Sequence, residues 1–154
     1  NSLLSTLYEI DNQSLGGKSA NKFLTPERKK VIQKSKTLRA QLNEICNIAS
    51  GKGNKIIAFY SDYDSFLATL SRKLKPNAIS VWTLGNRKVA KQEIFMDKIM
   101  IELCKPYHMT LLTSFTRHIL NKRMPKLNGY QGEKKGLQNT MTREHILIFV
   151  RSDS

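Results

Sequence analysis

In "KLKPNAISVWTLGNRKV", residues 73–89, a helix end, a turn and a strand follow one another. Lys75-Pro76-Asn77 breaks the helix, since proline has no amide to donate and asparagine favours turns. The strand is apolar through Ile79, Val81 and Trp82 and stops on Gly85-Asn86-Arg87. Glycine lets a backbone come close to a ligand, the asparagine amide carries both donors and an acceptor, and arginine reaches phosphates. A plain turn after a core strand would use the same Gly-Asn pair.

Upstream of this stretch the chain is helical. Residues 1 to 24 give a turn or two of helix and then a loop rich in small residues. Thr25-Pro26-Glu27 is a helix start, with threonine as N-cap and proline at the first helical position. Val31, Ser35, Leu38, Leu42, Ile45 and Ala49 then recur at helical spacing on one face, opposite the solvated basic face of Lys29, Lys30, Lys34, Lys36 and Arg39. The glycines of "SGKGNK" predict a helix end and a loop. A further helix over about 60 to 74 would bury Tyr63, Phe66, Leu67, Leu70 and Leu74, with Asp62 and Asp64 near its positive end.

Downstream, "EIFMDKIMIELCKPY" predicts a helix closed by Pro106. Two strands follow at 109 to 117 and 143 to 151, with apolar residues in succession, as in strands buried on both faces. The polar stretch between them is too long for a tight hairpin and holds Lys122, Arg123, Lys126, Lys134 and Lys135 around Tyr130. It suits phosphate and base contacts, or a solvated linker.

The 154 residues, 40% hydrophobic, suffice for one domain with a core. Lys and Arg number 26 against 12 Asp and Glu, a formal charge of +14, which points first to a polyanionic partner. Cys46 and Cys104 stand alone, without metal-ligand spacing, so neither a disulfide framework nor a metal is expected, and a reducing cytoplasmic setting fits. His108, His118 and His145 are scattered and read as structural or surface residues. No apolar run approaches the roughly 20 residues of a membrane span. The first residue is Asn1, which fits a piece of something longer or a processed product.

"SLGGKSA" has the end of a phosphate-binding loop but lacks the earlier glycine, since that position is Asn12, and lacks a buried strand before it. No G-x-G-x-x-G, G-x-S-x-G or H-E-x-x-H occurs. No complete active site is visible.

The order of the pieces says more. A helix with Tyr60-x-Asp62 near its start, Leu74-Lys75-Pro76, a strand ending Leu84-Gly85-Asn86-Arg87, a helix, a strand, a basic loop with "KRMPKLN" at 122 to 128, and a last strand introduced by Glu144 together resemble the C-terminal half of the DNA amino-methyltransferases. The resemblance covers about residues 59 to 151. Asn77 replaces the family's usual glycine, a tolerable change because asparagine enters positive-φ turns readily.

The resemblance implies an α/β fold, a partial Rossmann-like class I methyltransferase sheet made of its C-terminal strands. Residues 1 to 58 would be a helical insertion, residues 59 to 154 the C-terminal half, with a basic loop at 119 to 142. It implies methyl transfer from S-adenosylmethionine to cytosine N4 or adenine N6 of DNA. The family's methyl-donor loop, Phe-x-Gly-x-Gly, and its catalytic Asp/Ser-Pro-Pro-Tyr/Trp are both absent. The donor would therefore be held mainly by an N-terminal half, on the same or another chain, and no catalytic residue is assigned here. Gly85, Asn86 and Arg87 would line the target cleft, and Arg87, Lys88, Lys91, Lys122, Arg123, Lys126 and Tyr130 would contact DNA. Two alternatives stand beside this one: a non-catalytic nucleic-acid-binding module, and a structural α/β domain serving an acidic protein partner.

Overall fold

The computed structural model describes residues 24–119 and 143–152, with positions 6, 7, 9, 10, 15, 127, 128, 138 and 139 besides; at 50, 51, 127, 128, 138 and 139 only the backbone is described. Two one-turn helices, α1 (Pro26–Lys29) and α2 (Val31–Lys34), lead into α3 (Lys36–Ile48) and the long α4 (Ser50–Lys73). Then come β1 (Ile79–Leu84), β2 (Arg87–Val89), β3 (Gln92–Ile94), α5 (Met96–Cys104), a 3-10 turn (Lys105–Tyr107), β4 (Met109–His118), the short β5 (Leu127–Asn128) and β6 (Gln138–Asn139), and β7 (Arg143–Arg151).

The helix start at Thr25 is where the sequence places it, with Thr25 Oγ1 accepting from the Arg28 amide. The apolar face is right too, since Val31, Ser35, Leu38, Leu42 and Ile45 are all buried. The single helix drawn through them is not. Ser35 is extended, with φ −134° and ψ 117°, and its hydroxyl caps α3 through the Leu38 amide at 2.9 Å. Serine offers the backbone a local partner, which favours a break and a restart over continuation.

"SGKGNK" is a second correction, because it is helical and opens α4. Ala49 alone separates the two helices. A Cβ on Gly53 would lie 2.7 Å from Cys46 Sγ, so the glycine permits close approach of α3 and α4 rather than ending a helix. α4 continues unbroken across position 58, where the expected insertion ends. Asp62 and Asp64 consequently sit in mid-helix, where Asp62 pairs with Arg28 and Asp64 with Lys34 at 2.7 Å. Tyr107 closes the second pair by donating to Asp64 at 2.7 Å while accepting from Lys34 at 2.9 Å.

β7 lies between β1 and β4 and is antiparallel to both, so β1 and β4 run in the same direction. The fold is thus α/β with a three-stranded sheet, antiparallel at each pairing. The turn before β1 uses Asn77 at φ 61°, as a glycine-like position requires, and the Asn77 amide donates to Arg151.

One sheet face packs on the helices. Leu84, Leu147, Phe149 and Met109 meet Ile99, Met100 and Leu103 in one core, and Trp82 stands edge-on to Tyr63 and Phe66 of α4. The other face corrects the expectation of strands buried on both sides. Ile79 pairs with Val150, Val81 with Ile148 and Phe115 with Ile146, so these side chains share the outer face. Ile79 is 64% exposed, Val81 63%, Leu112 55% and Phe115 53%.

Candidate functional site

The carboxyl ends of β1 and β4 and the start of β7 lie together, because Leu84 and Thr116 both register with His145. In open α/β sheets this end of parallel strands is where ligands bind. Gly85 and Asn86 leave β1 here, and the chain turns into a hairpin, β2 against β3, that the sequence reading missed, placing only Glu93 and Ile94 of it at the start of the expected helix. Its tip, Ala90-Lys91, has φ of 51° and 67°. Two-residue turns of this hand suit the twist of a hairpin, but they normally take asparagine and glycine, so sequence patterns pointed elsewhere.

Arg87, Lys88 and Lys91 are exposed on this hairpin, which gathers three of the predicted DNA contacts on one element. Lys122, Arg123, Lys126 and Tyr130 lie outside the described residues. Within that predicted loop, Leu127 pairs with Asn139 and Asn128 with Gln138, antiparallel.

Asn86 is the node of the site. Its Oδ1 accepts from the Met96 amide at 2.9 Å, at the start of α5. Its Nδ2 donates to Glu93 Oε1 of the hairpin at 3.2 Å and lies 3.3 Å from His145 Nε2. One side chain thereby ties together the hairpin, the helix start and the central strand. Both amide hydrogens are engaged within the chain, which leaves one Oδ1 lone pair for an outside donor.

His145 Nδ1 faces Asp97 Oδ2 at 3.5 Å and Thr116 Oγ1 at 3.4 Å. The other oxygen, Asp97 Oδ1, is buried with no hydrogen-bond partner among the described residues. Tyr60 lies behind. Burial, then the Asp97 carboxylate, raises its phenol well above the usual range, against an opposing pull from Arg87. Arg117 and Glu144 pair at 2.8 Å just beyond His145 along the same strands. Sequence reasoning missed His145, Asp97, Thr116 and Glu93, because they come from four elements and share no spacing that a motif could carry.

Buried Gln41 braces the site from below, donating to the Glu93 carbonyl at 2.5 Å and accepting from the Phe95 amide at 3.1 Å. Among the described residues no group of three His, Cys, Asp or Glu could hold a metal, and no helix is long and apolar enough to cross a membrane. Burial pushes the Cys104 thiol up to about 12, so it is no nucleophile at neutral pH. The described residues do not fit S-adenosylmethionine as a self-contained site either. The strand end that faces the cleft, β1, leads into a hairpin instead of a glycine-rich turn and helix, and the helix start that does reach the cleft, that of α5, has its Met96 amide taken by Asn86.

The chain is similar to the Type II methyltransferase M.MvaI of Kocuria varians, with 32% identity over 142 residues, which are 92% of this chain and 31% of that protein. The methyltransferase resemblance read from the sequence is borne out by it. The chain thus spans about a third of the length of the curated relative it matches. No protein-family profile and no solved structure matches.

Proposed function

We propose that this chain is the C-terminal part, or a subunit, of a site-specific DNA methyltransferase acting on an exocyclic amino group, cytosine N4 or adenine N6. The observation that carries the reading is the 32% identity, extending over nearly the whole chain, to a Type II methyltransferase about three times as long. A restriction-modification setting and a cytoplasmic location accord with that likeness. The Rossmann-like character of the complete sheet belongs to this proposal: β1 and β4 run parallel as two strands of such a sheet, with reversed β7 between them. β1 pairs with a strand only on its β7 side among the described residues, and the outer face is apolar and open. Such an edge and face call for further strands and a covering layer, which the N-terminal half would supply, on the same polypeptide or another.

In this arrangement the other half binds S-adenosylmethionine, the methyl source, and holds the extruded base. This chain's own residues do the rest. Gly85, Asn86 and Arg87 form one wall of the target cleft at the carboxyl end of β1. Arg87, Lys88 and Lys91 bind phosphates from the hairpin, and Lys122, Arg123, Lys126 and Tyr130 are further DNA contacts. Phosphate contacts fix orientation, which the reaction needs because flipping a base out of the stack costs a few kcal/mol.

The test is transfer of labelled methyl groups from S-adenosylmethionine to duplex DNA, by the chain alone and by the chain combined with the donor-binding half. Label in N4-methylcytosine or N6-methyladenine is expected only from the combination. DNA left unlabelled by the combination, but bound by the chain in a strongly salt-dependent way, would favour a non-catalytic nucleic-acid-binding module, a reading to which the +14 charge also lends itself.

A further inference from the structure

The protons of the Asn86 cluster can be assigned from heavy atoms alone. The Met96 amide can only donate, so the Asn86 atom 2.9 Å from it is the carbonyl oxygen, and the NH2 group must face Glu93 and His145. That NH2 can only donate, so His145 Nε2, at 3.3 Å, must accept and carries no proton. The imidazole is therefore neutral, with its proton on Nδ1, where Asp97 Oδ2 and Thr116 Oγ1 stand ready to accept. Protonation at Nε2 would set N–H against N–H and release the asparagine.

We propose that His145 is a positioning residue for the cleft: its Nδ1-protonated neutral form, oriented by Asp97 and Thr116, locks the Asn86 amide that ties the basic hairpin to the start of α5. The groups facing the ring come from three directions. Asp97 belongs to α5, Thr116 to β4, and Asn86 follows β1, with Glu93 of β3 beyond it and Tyr60 of α4 behind Asp97. The lock acts on hairpin geometry and not on its charge. Its effect should therefore appear in the rate of methyl transfer more than in DNA affinity. That kinetic consequence rests on the methyltransferase reading, whereas the tautomer and the lock do not.

Two variants separate the roles. Gln at this position can present an acceptor where Nε2 stood, and Leu cannot. Nitrogen-15 NMR of the intact chain near neutral pH is expected to show His145 as the Nδ1-protonated tautomer. Hydrogen exchange at the Met96 amide should accelerate about tenfold or more in His145→Leu and little in His145→Gln. In the assembled enzyme, single-turnover methylation should fall about tenfold or more in His145→Leu, with DNA affinity within about threefold of wild type and most of the rate kept by His145→Gln. An Nε2-protonated or doubly protonated ring, or Met96 exchange that is equal in the two variants, overturns the proposal. So does full turnover by the Leu variant. If the wild-type assembly transfers no methyl groups, the methyltransferase reading has failed, and the tautomer and exchange measurements still decide the role of His145.

Discussion

Glu102 shows how a single side chain can join two parts of the fold. Its carboxylate accepts from Ser35 Oγ at 2.5 Å, the Thr37 amide at 3.0 Å and Thr37 Oγ1 at 2.8 Å, fastening α5 to the restart of the helix at Ser35. Burial raises its pKa, but these hydrogen bonds, with Lys105 nearby, outweigh burial and hold it below the ordinary carboxylate value. A depressed folded-state pKa means stability that is present above the unfolded value and lost as pH falls through the folded one. Glu102→Gln is expected to cost about 1 to 2 kcal/mol near pH 7 in denaturant unfolding, a gap that narrows below about pH 4. A gap independent of pH would show that the charge is immaterial. None of this was legible beforehand, because the partners are some 65 residues apart in sequence. Asn86 stood out in the sequence, since it follows a glycine at a strand end, while His145, its partner across the sheet, looked like any other isolated histidine.

At the scale of elements, glycine misled in one place and was missed in another. "SGKGNK" looked like a loop because glycine ends helices, yet Gly53 serves the packing of α3 on α4. Ala is a better helix former than Gly by about 1 kcal/mol, but a Cβ at this position meets Cys46 Sγ. In thermal unfolding, Gly53→Ala should therefore be neutral or destabilising in the wild type and stabilising by about 1 kcal/mol in a Cys46→Ala background. Equal effects in the two backgrounds would deny the contact. The hairpin is the converse case. Ala90 and Lys91 occupy left-handed conformations that glycine would relieve, so Lys91→Gly should raise stability by about 1 kcal/mol. The same change should lower the salt slope of DNA binding by about one, whereas Ala90→Gly should give the stability gain with the slope unchanged. A slope that Lys91→Gly leaves intact would remove Lys91 from the phosphate contacts. The positions of β1, β4 and β7 and the apolar stripe from Val31 to Ile45 were readable because periodicity is a local signal, whereas of the stripe expected over 60 to 74 Tyr63 and Leu67 are buried and Phe66 is 42% exposed. Ser35's break and the Ala-Lys turn were not, since tertiary packing overrode local preference there.

Across the whole molecule, the successive apolar residues of β7 suggested a strand covered on both sides, and the middle of β7 is buried, at Ile146, Leu147 and Phe149. Its neighbours are not: Ile79 and Val81 on β1, and Leu112 and Phe115 on β4, leave the outer face open. A pattern in sequence registers what a face is made for, not whether the covering layer is present in the same stretch of chain. The open face and the β1 edge are what a sheet divided between two parts would present. Amide hydrogen exchange across residues 79–84, compared between the chain alone and the chain combined with the donor-binding half, tests this most directly. Those β1 amides not bonded to β7 are expected to exchange rapidly alone and to slow by about a hundredfold or more in the combination. Exchange along β1 that is unchanged by a half that restores methylation would contradict completion of the sheet at this edge.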